Sequence, residues 1–169
     1  MSRPILDRVP TFYHNYIALV EEDVLNTAFN RHLKEYSRLL HSIPEDKWSY
    51  NYAEGKWTIK EVVQHVIDAE RIFNYRALCF ARKEAASLPG FDENSYAAHS
   101  KANQRSGADL LTELNIVRQS SALLFKSFDE EQLEATGTAN NSSIYVKAIG
   151  FIIIGHALHH AKILEERYL

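Results

Sequence analysis

Trp57-Thr58-Ile59-Lys60-Glu61-Val62-Val63-Gln64-His65 is the clearest helix start in the chain. Thr58 can accept a hydrogen bond from the backbone of Glu61, and the Glu61 carboxylate can reach back to the backbone of Thr58. That reciprocal pairing is a capping box, and Trp57 and Val62 stand at the spacing of a hydrophobic staple. From Ile59 to about Lys83 apolar residues recur every three or four positions, so one long helix is predicted. Val62, His65, Ala69 and Ile72 share a seam of it, which points His65 at the core.

Three further stretches carry the same period. Leu25, Phe29, Leu33, Tyr36, Leu39, Leu40 and Ile43 form a stripe over about Val24 to Ile43, ended by Pro44. A shorter amphipathic piece, Phe12 to Val20, precedes it, and Glu21-Glu22-Asp23 lies before or within its first turn. The third helix is expected from about Gly107 to Phe128, capped by Ser106 with Asp109, with Leu110, Leu114, Val117, Leu124 and Phe128 inward. The fourth is expected from about Ile144 to Arg167, with Ile149, Ile153, His156, His160 and Ile163 on one face.

Strand signals are weak, so the fold class is all-α, a four-helix bundle filling a single domain over residues 1–169. The connections 44–57 and 129–143 are of moderate length. The connection 84–105 is longer and contains Leu88-Pro89-Gly90-Phe91-Asp92-Glu93-Asn94. A link of that length can carry the chain back along the bundle, so helices two and three can run parallel.

With 169 residues, 46% of them hydrophobic and 24% charged, the chain can bury a core without disulfides. The single Cys79, in the apolar run Ala77-Leu78-Cys79-Phe80, reads as a small buried hydrophobe and suits a reducing compartment. The net charge of −3 offers no basic stripe for a phosphate backbone, so no nucleic acid is expected as partner. The N-terminus lacks an apolar stretch of signal-peptide length, and the run from Ala148 to Gly155 is far too short for a membrane span. A cytoplasmic protein with no membrane partner is the expectation.

Of eight histidines, His14, His32, His41 and His99 stand in polar surroundings and are read as surface residues. His65, His156, His159 and His160 stand in apolar helical stretches. His156 and His160 are four apart, so both project from one helix face. This is the spacing by which two imidazoles grip one metal ion, although Ala157 replaces the glutamate that a zincin has after its first histidine. His65 stands about seven residues after Thr58, and His160 about seven before Arg167, each roughly 10 Å from its helix end. If the two helices run antiparallel, the three histidines meet at one depth. Three imidazoles leave coordination positions open, as catalytic sites do. The metal is one divalent transition ion, zinc or nickel first, with copper and iron also suited to neutral imidazole. His159 points about 100° away from His160. Asp68 and Glu61, one turn either side of His65, are the candidates to accept a proton from a ring nitrogen.

The sequence resembles the DinB-like superfamily of damage-inducible bundle proteins. The resemblance rests on Gly55-Lys56-Trp57-Thr58 through His65, on Leu88-Pro89-Gly90-Phe91-Asp92-Glu93, on Gly155-His156-Ala157-Leu158-His159-His160, and on Ile163-Leu164-Glu165-Glu166-Arg167-Tyr168-Leu169. It implies an up-down-down-up four-helix bundle, often a homodimer, with a metal held by the histidines matching His65, His156 and His160. It also implies either thiol-dependent chemistry, in S-transferases or a maleylpyruvate isomerase that use a low-molecular-weight thiol, or metal-dependent hydrolysis. Relatives often follow the last histidine with Arg-Gly-Gln, where this chain has Ala161-Lys162-Ile163.

The expected activity is therefore metal-assisted activation of a small thiol, or of water, against a small-molecule substrate. The alternative is a non-catalytic stress-response or binding protein, in which the metal staples the bundle or the protein senses metal or stress. Asp92, Tyr96, Asn103 and Arg105 of the long loop are candidates to close over the site. Arg76, about three turns beyond His65, is a candidate to attract an anionic substrate.

Overall fold

The computed structural model describes residues 3–169. After two short 3-10 turns the helices are α1 (His14–Ala18), α2 (Leu25–His41), α3 (Ile59–Ala81), α4 (Glu93–His99), α5 (Gly107–Lys126) and α6 (Glu130–Glu134). The strands β1 (Thr136–Ala139) and β2 (Ser142–Tyr145) follow, and then α7 (Val146–Arg167). The four long helices α2, α3, α5 and α7 build an all-α four-helix bundle, and they are the four expected from the periodicity.

Local signals account for the starts. The capping box of α3 is formed: Glu61 N donates to Thr58 Oγ1 at 3.2 Å, and Thr58 N donates to Glu61 Oε2 at 2.8 Å. Ser106 caps α5 by accepting from Asp109 N at 3.1 Å.

Partners along the helices give their directions. Gln64, Glu70 and Asn74 of α3 bond Arg105, Arg118 and Ser121 in that order, so α3 and α5 run the same way. The end of α7 meets the start of α3, where the Tyr168 hydroxyl donates to the Trp57 carbonyl at 2.8 Å, so these two run oppositely. Every residue from Val146 to Ala157 of α7 is buried. A helix half that is apolar on nearly every side, Lys147 and His156 excepted, must be covered all round, and α1, α2, α3 and α6 cover it.

One apolar cluster contains Ala69, Phe73, Ile152 and Ile153, and a second contains Val62, Val66, Ala157 and Leu164. His65 and His156 therefore stand where the two clusters meet. No helix of the described residues is long and apolar enough to cross a membrane.

The connections hold more order than expected. Residues 129–143 carry α6, closed by an Asp129–Gln132 capping box, and most of an antiparallel hairpin, so α7 starts at Val146 rather than Ile144. The signal was Asn140-Asn141, a two-residue turn with both residues at positive φ (49° and 59°), which asparagine tolerates. The long loop contains α4, capped by Asp92, whose side chain accepts from Asn94 N and Ser95 N. It is tied to the hairpin by Leu88 N donating to Thr138 O at 2.9 Å and Asn140 N donating to Leu88 O at 3.0 Å.

One surface histidine of the sequence reading is buried. His32 shares the inward face of α2 with Phe29, Tyr36 and Leu40. Its Nε2 lies 2.9 Å from Glu22 Oε2, and its Nδ1 lies 3.1 Å from Glu35 Oε2. The polar neighbours in sequence were its partners rather than a sign of exposure. His41 and His99 are exposed, and His14 is half-buried against the carbonyls of Leu6 and Val9.

Candidate metal centre

His65 is presented by α3, and His156 and His160 lie one turn apart on α7. The antiparallel pairing of these helices brings the rings to one level. His156 Nε2 lies 3.0 Å from His65 Nε2 and 3.1 Å from His160 Nε2. One nitrogen from each ring falls within 4.8 Å of the others.

Hydrogen bonding accounts poorly for this triangle. A neutral imidazole Nε2 carries either a proton or a lone pair. His156 Nε2 can thus donate to one neighbour only, or offer one lone pair to two. Three ring nitrogens gathered within 4.8 Å of one another suit a cation better. Burial keeps their lone pairs free. It lowers His65 to about 4 and His160 to about 3, in the latter case helped by the neighbouring His65 and His159. It also holds His156 well below the ordinary histidine value. The rings are neutral at pH 7, the state in which imidazole ligates.

The histidines open into a cavity of about 300 Å³. Phe12, Tyr13 and Tyr16 wall it on the α1 side. The Tyr16 ring packs edge-on against His156, with centroids 5.5 Å apart, and lies 5.3 Å from the His159 ring. Tyr16 comes this close because of Gly155: a Cβ there would lie 2.0 Å from the Tyr16 carbonyl oxygen. Burial raises the Tyr16 pKa, so its phenol keeps its proton. Trp57 covers His65, with ring centroids 4.9 Å apart. Ala69, Phe73 and Arg76 continue the α3 wall, and Gly90, Phe91, Glu93 and Asn140 close the far end.

His159 also lines the cavity, with its ring 5.2 Å from that of His160. Neither carboxylate expected behind the histidines bonds a ring. Asp68 accepts from Gln64 Nε2 at 2.9 Å, and Glu61 is held by Thr58 and Asn103. His160 Nδ1 is buried without a partner.

The loop residues expected to close over the site are committed elsewhere. Asp92 caps α4, Asn103 bonds Thr58 and Glu61, and Arg105 bonds Gln64, Asp109 and Glu113. Tyr96 borders a shallow surface depression beside Asp68 and His99. The loop contributes Gly90, Phe91 and Glu93 instead, because the bonds of Leu88 to the hairpin fix this stretch beside Asn140. An aromatic cluster, Phe12-Tyr13 with Tyr16, marked the missed wall in the sequence.

The DinB superfamily signature matches residues 28–164, most of the chain. The chain belongs to the DinB superfamily. Among solved structures it is similar to YfiT from Bacillus subtilis, described as a metal-dependent hydrolase by inference and as having an unusual four-helix bundle topology. That likeness has a TM-score of 0.75 at 14% identity, over 84% of this chain and 82% of that one. It is also similar to a mycothiol-dependent maleylpyruvate isomerase (TM-score 0.68, 14% identity, 82% of this chain and 58% of that one). A third is the DinB-like protein YjoA from Bacillus subtilis (TM-score 0.59, 19% identity, 83% and 86%). At such identities the likeness is one of fold. A protein of Oceanobacillus iheyensis, named for an inferred metal-dependent hydrolase activity, is 27% identical over 64 residues. That stretch is 38% of this chain and 37% of its relative.

Proposed function

We propose that this DinB protein is a metal-dependent enzyme that holds one divalent transition ion, zinc or nickel, through His65, His156 and His160. Its reaction is activation of a low-molecular-weight thiol, or of water, toward a small electrophilic substrate. The observation that carries the reading is the convergence of three uncharged ring nitrogens at the head of a small-molecule-sized cavity. When bound, such an ion lowers the pKa of a thiol or water in its open position, so a nucleophile is available near neutral pH.

The chain's own residues supply the rest. Burial keeps the three rings unprotonated, and the antiparallel α3–α7 pairing fixes their level. Trp57 and Tyr16 cover His65 and His156. Phe73 and Phe91 offer an apolar bed to a substrate. Among the described residues the cluster stops at three ligands, which leaves coordination open and favours turnover over a purely structural ion. The relatives named for metal-dependent hydrolysis and for a mycothiol-dependent reaction support the two nucleophiles. A homodimer and a cytoplasmic location belong to the same reading.

The test is turnover by zinc- or nickel-loaded protein. Thiol consumption is followed with a reactive aryl halide, and ester hydrolysis is followed without thiol. Metal-dependent activity that vanishes in His65→Ala is expected. A thiol requirement assigns transfer, and thiol-independent cleavage assigns hydrolysis. A fully metal-loaded protein that turns over neither would overturn the catalytic reading.

A further inference from the structure

Three lysine or arginine side chains are buried among the described residues: Arg76, Arg118 and Lys147. Arg118 pairs with Glu70, and Lys147 with Glu130 and Glu134. Arg76 is 5% exposed, lines the cavity of the histidines, and forms no ion pair among the described residues. Its protein partners are the Pro89 carbonyl, which accepts from Nη2 at 2.9 Å, and the Phe73 ring, whose centroid is 5.8 Å from the guanidinium carbon. A guanidinium has five N–H donors in a planar fork. Arg76 lines the cavity, and none of its remaining N–H donors is among the buried atoms without a partner. An uncompensated buried cation is costly, and a cavity that keeps one invites an anion.

We propose that Arg76 is a specificity-determining residue that anchors a carboxylate on the substrate. The substrate class is a small carboxylic acid with an apolar body. This rests on the reading of the cavity as a metal-centred small-molecule site.

The placement supports it. Phe73 lies between the two ends, with its ring centroid 6.2 Å from that of His156, so a body resting on Phe73 touches both. Helix side chains lean toward the N-terminus of their helix, which tilts Arg76 back toward His65. The Pro89 bond holds the fork beside Phe91 and Asn140. A single cation matches a single negative charge, and Glu93 in the same lining opposes a more highly charged group. A guanidinium fork meets a carboxylate with two parallel N–H···O bonds.

The test uses 4-phenylbutyrate and its neutral isostere 4-phenylbutyramide, titrated calorimetrically into zinc-loaded protein. Wild type, Arg76→Gln, Arg76→Lys and His160→Ala are compared, with zinc content measured in each sample. Wild type is expected to bind the acid at least about tenfold more tightly than the amide, the scale of a charge-assisted bidentate pair. Arg76→Gln loses that preference with its zinc intact, Arg76→Lys keeps part of it, and His160→Ala retains it while losing zinc. Equal binding of acid and amide by wild type, or an acid preference surviving in folded Arg76→Gln, would overturn the proposal. If that surviving preference is lost in His160→Ala, the acid is a metal ligand. Should Arg76→Gln fail to fold, the Arg76 Nε–H resonance of wild type decides: a shift with the acid and not the amide supports the anchor, and no shift overturns it. Absence of zinc from wild type would indict the metal reading and leave the Arg76 comparison standing.

Discussion

Glu70 and His65 stand five residues apart on α3, and each heads a cluster of buried polar groups, yet the clusters differ in whether opposite charges pair within them. Around Glu70, Arg118 Nε donates to both carboxylate oxygens at 2.9 Å, and Ser121 Oγ donates at 2.5 Å. Asn74 supports Ser121 from behind at 2.7 Å. Charge meets charge and both side chains are 2% exposed, while Arg118 Nη1 and Asn74 Oδ1 are buried without a hydrogen-bond partner. Three neutral imidazoles face one another with no carboxylate among them, and a cavity opens beside them. A buried cluster whose charges pair within the protein joins helices. A cluster of neutral imidazoles beside a cavity has no charge pairing of its own, which agrees with the proposed metal site.

The two should therefore answer mutation in opposite ways, and the largest contrast is in stability. Glu70→Ala strands the Arg118 cation and is expected to cost about 3–5 kcal/mol, read from urea unfolding. His156→Ala in metal-free protein leaves no stranded charge and is expected to cost less. Equal losses would erase the distinction.

Next comes pH. The unfolded chain protonates histidine near pH 6.5, whereas burial delays His65 to about 4 and His160 to about 3 in the folded, metal-free chain. Between these limits the unfolded state binds more protons, so stability falls as pH drops from about 6.5 to about 3, most steeply above about 4. A loss on the order of 2–4 kcal/mol is expected, coupling among the rings included. Urea midpoints at pH 7.5, 5.5 and 4.5 check it. The triple alanine variant of His65, His156 and His160 should flatten the curve, and an unchanged slope there would place the titration elsewhere.

Much of this was open to reading in the sequence. Thr58 with Glu61 gave the start of α3, and equal counts from Thr58 to His65 and from His160 to Arg167 gave the common depth. The seam of Val62, His65 and Ala69 gave the inward face. These are local rules of spacing and capping. The rest depended on distant partners. His32 seemed exposed because its neighbours are polar, but Glu22 and Glu35 fold onto it. Asp92 and Arg105 seemed free to reach the site, but the first turn of α4 takes Asp92, and Asp109, Gln64 and Glu113 take Arg105. The tie of Leu88 to the hairpin, which brings Phe91 and Asn140 to the cavity, joins residues about fifty apart, beyond the reach of any local period.

Smaller effects sharpen the comparison further. Gly155→Ala should push α1 and Tyr16 off the histidine cluster, costing about 1–3 kcal/mol by overpacking and weakening zinc binding, while the Glu70 cluster is untouched. Tighter zinc binding in that variant would show that the Tyr16 wall does not support the site. Thr58→Ala should cost about 0.5–2 kcal/mol by fraying the start of α3, without changing how much zinc is bound. Loss of zinc there would mean the cap, not only the packed rings, holds His65 in place.

The most direct test is metal stoichiometry. The purified chain and the single alanine variants of His65, His156 and His160 would be equilibrated with zinc, gel-filtered and analysed for metal. The account predicts one ion per wild-type chain, with a stabilisation of about 2.7 kcal/mol at a hundredfold excess over Kd, and loss of both in each variant. No uptake by wild type, or full uptake by His65→Ala, would contradict it.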